Sequence, residues 1–389
     1  MHPIVIIGSG MAGYAVAREF RKLNTEQELV MICADDAINY AKPTLSNALV
    51  ANKAPVNIAL GDAAKMTAQL NMRIEAQTWV KDIQPEAHSL TLEKDGQTQQ
   101  QTYAKLVLAV GANPVRLAIT GDATDDIYVV NNLEHYTAFR DKLSSREDKR
   151  VVILGAGLIG CEFANDLQHT GHQVTVVDLA PQVLGRLLPS DVAAAFQNKL
   201  EDTGIQFILG TTVEKVSNQD NHYAIQLANG HSLVADVVLS AVGLQPNTQV
   251  AQAANIQTSR GILTNTQLET NHTDIYAVGD CAEVNGTLLP YVMPIMQQAR
   301  ALAKTLNGAT TAVHYPAMPV AVKTPAAPLT VLPAPVDVDV TWHTETLEDG
   351  LIAKATDVQN TLRGFVLLGA TAAKQRLTLT KLVPDLIPL

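Results

Sequence analysis

The chain is short of cysteine, of positive charge and of long apolar runs. Only three cysteines, Cys33, Cys161 and Cys281, occur in 389 residues, and none forms a CxxC or CxxxxC pair. That spacing argues against a disulfide framework, a zinc cluster and a thiol pair able to relay electrons. Lysine and arginine number 28 against 38 acids, a formal charge of −10. The basic footprint of a nucleic-acid binder is therefore missing, as is attraction to an anionic membrane. No apolar run approaches the ~20 residues of a membrane span. The chain opens at once on the strand-like IVIIG, without the basic and apolar regions of a secretion signal. These absences predict a cytoplasmic protein. What is present is a globular composition, 47% apolar and 17% charged, long enough for two or three domains.

One long pattern occurs twice. The first copy opens with IVIIGSGMAG at 4–13 and the second with VVILGAGLIG at 151–160. Four apolar residues read as a buried parallel strand, a G-x-G-x-x-G turn follows, then a helix, YAVAREFRKL or CEFANDLQHTG. A second strand comes next, LVMIC at 29–33 or VTVVD at 174–178, and then a run of alternating segments. Each copy closes on a related corner, AVGANP at 109–114 and AVGLQPN at 241–247, which offer Ala109, Gly111 and Gly243. The glycine turn permits a tight bend, backbone approach to a pyrophosphate and close strand–helix packing. The phosphates would meet the free N–H groups of the helix start. One such turn is weak evidence; two in matched contexts predict two dinucleotide sites. Gly155, Gly157, Leu158, Ile159 and Gly160 form the second turn.

An acid at the end of the second strand takes ribose hydroxyls in this type of unit. In the second copy it is Asp178, and the following LAPQ offers no Arg or Lys for a 2′-phosphate, which predicts NADH over NADPH. In the first copy the position holds Cys33, with Asp35 and Asp36 close behind as substitutes. After the second corner, an apolar strand runs into Gly279 and Asp280. Asp280 can receive sugar hydroxyls, cap the next helix, or do both. From 309 prolines crowd the chain, then DVDVTWH, GLIAKA and RGFVLLG predict strands and ATAAKQRLTLTKL one closing helix. The predicted fold is α/β, two Rossmann-like units plus a small C-terminal α+β domain. Its boundaries are 1–117 with 246–315, then 118–245, then 316–389.

GSGMAG, AVGANP, GAGLIGCEFAND, AVGLQPN and IYAVGDCAE, in this order, resemble the FAD-dependent pyridine nucleotide oxidoreductases with two dinucleotide-binding domains. The resemblance covers nearly the whole chain. YAKPTLS, LPYVMP and MPVAVKTPAAPL are most similar to members that reduce the small acidic iron protein rubredoxin. It implies that the first unit holds FAD and the inserted second unit holds NAD. Gly8, Ser9, Gly10, Met11, Ala12 and Gly13 match the FAD pyrophosphate turn. Asp280 matches a contact to the ribityl or phosphate part, Val80 the backbone beside the adenine, and Val292 a contact to the flavin's pyrimidine end.

Two cations stand out near the implied flavin. Lys42 precedes Pro43, which biases its backbone to extended conformations. Lys323 sits in the apolar VAVKTP, where a charge needs a partner. Glu162, on the first turn of the second helix, is either a dipole-complementing acid or that partner. Lys42, Glu162 and Lys323 are the expected catalytic residues. Related peroxidases and oxidases carry a reactive Cys after a Leu-Ser here; this chain has Leu45-Ser46-Asn47. The resemblance thus implies electron flow from NADH through FAD to rubredoxin, without a redox-active disulfide. A hydroxylase such as an alkane-oxidising system would be the downstream consumer. A ferredoxin reductase or diaphorase of an oxygenase system, and a non-catalytic redox sensor, remain open. The terminal domain is shorter than the dimerisation domain of disulfide reductases, which favours a monomer.

Overall fold

The computed structural model describes residues 2–144 and 149–388. Its first half is built on a parallel sheet in the spatial order Ile275–Ala277, Lys105–Leu108, Ile4–Ile7, Leu29–Ile32, Arg73–Glu75. The second half repeats it with Tyr128–Val129, Val237–Ser240, Arg150–Leu154, Gln173–Asp178 and Gln206–Leu209. Both halves place the strand before the glycine turn at the sheet centre. There both faces are covered, which is why IVII and LVMI carry no polar residue. Each half adds a three-stranded antiparallel meander, Trp79–Gln84 to Gln97–Thr102 and Val213–Gln219 to Ser232–Ala235.

The two related corners meet each other. Ala112–Pro114 pairs antiparallel with Leu244–Pro246, a short ribbon joining the halves. The strand Ile275–Ala277 then returns to the edge of the first sheet.

The C-terminal part is a five-stranded antiparallel sheet, ordered Val320–Val322, Leu329–Leu332, Leu362–Leu368, Leu351–Thr356, Thr341–Thr346. Its buried Val331, Leu351 and Val366 share one apolar cluster with Phe163, Val192 and Phe196 of the second half. Each such fully buried side chain stabilises by about 1.5–3 kcal/mol. Tyr315 and Ile387 form a bridge and both lie in the first half's core, so the end of the described chain is tied back there. The closing helix differs from expectation. It is two short helices, Ala370–Ala373 and Arg376–Thr380, interrupted at Lys374 and Gln375. Among the described residues no helix is long and apolar enough to cross a membrane.

Candidate active site

The two glycine turns have the same internal geometry. A Cβ on Gly13 would meet the Gly8 carbonyl oxygen at 2.0 Å, and one on Gly160 would meet that of Gly155 at 1.9 Å. Packing of helix against strand thus demands glycine at both places. The middle residues Gly10 and Gly157 meet nothing within 4 Å. Internal packing does not require glycine there; a group lying across the turn would. The helices they precede, Met11–Arg21 and Leu158–His169, have no side-chain cap. Their first N–H groups are left for such a group. This open cradle fits a dinucleotide pyrophosphate at each turn.

On the first side Ser9 donates to Asp35 Oδ1 at 2.6 Å, placing that carboxylate beside the turn. Asp36 instead accepts from the Ile38 N–H at 3.1 Å. Cys33 is buried just past its strand, and burial pushes its thiol up to about 12. The Gly279–Cys281 turn lies on the first turn of the helix, since a Cβ on Gly279 would meet Ala12 Cβ at 2.7 Å. Asp280 sits in that turn and caps no helix. Helix Val292–Leu306 begins twelve residues later, with Tyr291 as an N-cap that makes no side-chain bond. Burial raises the Asp280 carboxyl while Lys42 opposes the shift, and burial lowers Lys42 while Asp280 opposes. These two are therefore each other's charged neighbours. Val80 packs half-buried against the first core, and Val292 is exposed at its helix start. Ala109 contributes the carbonyl that crowds Gly8, and Gly111 takes φ +66° in the corner.

On the second side Asp178 accepts from the Ala156 N–H at 2.5 Å and from Ala180 N–H at 2.7 Å. The acid is thus held at the mouth of the glycine turn. Ile159 is exposed beside it, Leu158 is half-buried, and Gly243 takes φ +116° in the second corner.

Glu162 and Lys323 meet, although 161 residues separate them. Lys323, just past strand Val320–Val322, forms an ion pair with Glu162 Oε2. Its own N–H donates to Oε1 at 3.0 Å. Glu162 is only 4% exposed. Lys42 stands apart from this pair, so the three expected catalytic residues divide into two groups. Lys42, Pro43 and Ser46 share the 3-10 helix Lys42–Asn47. Ser46 completes the pair: its hydroxyl donates to Glu162 Oε2 at 2.5 Å and accepts from Lys323 Nζ at 2.8 Å. Sequence reasoning missed Ser46, although it had singled out Leu45-Ser46 for the cysteine that does not follow. Cys161, next to Glu162, is fully buried and its thiol is pushed up by burial, which makes it unreactive.

Comparison with known proteins adds three findings. The family model described as pyridine nucleotide-disulphide oxidoreductase matches residues 2–307. A second, described as rubredoxin binding C-terminal domain, matches 312–383. The chain is 75% identical to the rubredoxin-NAD(+) reductase of Acinetobacter baylyi, across 100% of this chain and 99% of that one. It is 41% identical to the enzyme of the same name from Alcanivorax borkumensis, across the whole of both. It is 36% identical to a nitric oxide reductase FlRd-NAD(+) reductase of Aliivibrio fischeri, across 94% of each. In fold it resembles the covalent putidaredoxin reductase–putidaredoxin complex, with TM-score 0.88 at 23% identity over 98% of this chain and 94% of that one.

Proposed function

The chain belongs to the pyridine nucleotide-disulphide oxidoreductase family, and we propose that it passes electrons from NADH through FAD to rubredoxin. The observation that carries this reading is the meeting of Ser46, Glu162 and Lys323. One comes from the first half, one from the helix of the second glycine turn, and one from the segment matched as rubredoxin-binding. All three parts therefore converge where the one neighbouring thiol, Cys161, is buried and unreactive.

When bound, FAD takes an electron pair from NADH and releases electrons singly. The residues of this chain bind, orient and supply charge. The turn Gly8–Gly13 and the uncapped start of its helix would hold the FAD pyrophosphate, with Asp35 toward the ribose and Asp280 toward the ribityl chain. The Ala109–Gly111 corner and Gly279 close that cradle, and Val80 and Val292 would border the two ends of the cofactor. Lys42, half-buried beside Asp280, supplies a cation where low dielectric makes it count. On the other side Gly155–Gly160, Gly243 and Asp178 would hold NADH. Glu162 lies two residues past that turn, so the nucleotide end of the helix and the Lys323 pair are parts of one rigid element. A cytoplasmic location belongs to this proposal; all three cysteines are free and buried, as suits a reducing compartment.

The test is NADH-driven reduction of cytochrome c with and without added rubredoxin. Rubredoxin should raise the rate in proportion to its concentration. An unchanged rate, or a higher kcat/KM with a ferredoxin, would overturn the assignment.

A further inference from the structure

We propose that Ser46 is a positioning residue for electron transfer, holding the Glu162–Lys323 pair in one orientation toward the flavin. The inference rests on the proposed function, with Lys323 and Glu162 taken as the cation and its partner that the sequence places near the flavin.

The geometry is a closed triangle. Ser46 is 3% exposed, and its single hydroxyl proton has two acceptors in reach, Glu162 Oε2 at 2.5 Å and the Pro43 carbonyl at 3.3 Å. An ammonium only donates, so the bond from Lys323 Nζ occupies an oxygen lone pair and turns the proton toward the carboxylate. Glu162 Oε1 is meanwhile bound by the Lys323 N–H at 3.0 Å, which fixes the plane of the carboxylate. Without the hydroxyl, the ammonium would lose one of its two side-chain acceptors. Lys323 is 29% exposed, so it has a path to solvent. The backbone N–H fixes the carboxylate, and the Ser46 hydroxyl fixes the ammonium against it.

The same helix holds the surrounding backbone one turn on. Asn165 accepts from the Ala326 N–H at 3.2 Å. Asp166 accepts from the Leu49 and Val50 N–H groups at 2.9 and 3.0 Å. Positions 162, 165 and 166 share one helix face. The docking of the three parts therefore has its own bonds, and Ser46 is not needed for it. Its hydroxyl serves the pair.

The experiment uses the FAD-loaded protein and four forms: wild type, Ser46→Ala, Ser46→Thr and Asp166→Asn. Two quantities are read, the midpoint potential of the bound flavin and the single-turnover rate of flavin reduction by NADH. Ser46→Ala should slow reduction about 10-fold or more, the size of one charge-assisted hydrogen bond, and move the potential. Ser46→Thr, which keeps the hydroxyl, should restore both to within about 3-fold and near the wild-type potential. Asp166→Asn weakens docking and leaves every hydrogen bond of the pair in place, although the Asp166 charge also acts on Lys323; it should lower thermal stability while moving the potential less than Ser46→Ala does. A wild-type rate and potential in Ser46→Ala, no rescue by threonine, or the same potential shift in Asp166→Asn would each overturn the proposal. Neither readout uses rubredoxin. Failure of wild type to reduce rubredoxin would refute the functional reading alone.

Discussion

Replacing Lys323 by methionine isolates the ion pair that joins the second glycine-turn helix to the C-terminal sheet. Methionine keeps the length of the stem and removes the charge. Glu162, at 4% exposure, would keep only the Ser46 hydroxyl and one backbone N–H as donors. Breaking a fully buried pair by removing one partner costs about 3–5 kcal/mol. The ammonium is 29% exposed, so water already screens part of the attraction, and about 1–3 kcal/mol is the better expectation. For domains of this size that is a fall of roughly 2–10 °C in the unfolding midpoint. Glu162→Gln should cost a similar amount, because the ammonium would then face an amide instead of a carboxylate. The double variant should lose much less than the sum, since neither charge is left stranded. The assay is a four-member cycle of thermal unfolding, followed by circular dichroism on FAD-loaded protein. A coupling below about 0.5 kcal/mol would mean that the two sites are independent, and the argument would fail.

Three further outcomes follow from the geometry. Gly160→Ala would drive a methyl into the Gly155 carbonyl oxygen at 1.9 Å; NADH should bind at least ~10-fold more weakly with FAD content unchanged, and joint loss of both would refute separate cradles. NADH should exceed NADPH in kcat/KM by at least ~10-fold, because the Asp178 carboxylate would face the added phosphate; equal values would refute that placement. Burial alone would raise the Asp236 carboxyl, but the Arg150 guanidinium and N–H and the His222 ring hold it far below its ordinary range. Its folded value lies under the unfolded ~3.9, so its contribution is present above about pH 4 and shrinks as pH falls further. The midpoint gap between wild type and Asp236→Asn should narrow steadily from pH 4 to pH 2, and a constant gap would refute the linkage.

The parts of the fold legible in the sequence are those set by local geometry. A buried strand, a glycine turn and a helix start are written in ten consecutive residues. Finding them twice gave both sheets and both cradles. The C-terminal helix was misread because the sequence offered good helix formers through Lys374 and Gln375. Apolar contacts instead hold Ala372 and Leu379 to the sheet as two separate turns. Of the two readings of Asp280, the helix cap fails, because the helix starts only at Val292. Glu162 and Lys323 were each legible as residues needing a partner. Their pairing was not, because it depends on how two domains dock across 161 positions.

The two lysines that the sequence treated alike turn out to be held in different ways. Lys323 is fixed by contact: a carboxylate, a hydroxyl and its own backbone N–H determine where its charge lies. Lys42 is set by environment, with burial working against its charge and Asp280 working for it. A charge locked by short bonds changes little when a ligand arrives. A charge balanced between burial and one acid responds to any further charge placed beside it. The 3-10 helix Lys42–Asn47 carries both kinds of group, since Ser46 belongs to the fixed pair and Lys42 to the responsive one. On the proposed reading the site works with Asn47, and no thiol, at that position. The orienting atom is the Ser46 hydroxyl one residue earlier, and the adjustable charge lies five residues before Asn47, the position where the resemblance implies a cysteine in peroxidases and oxidases.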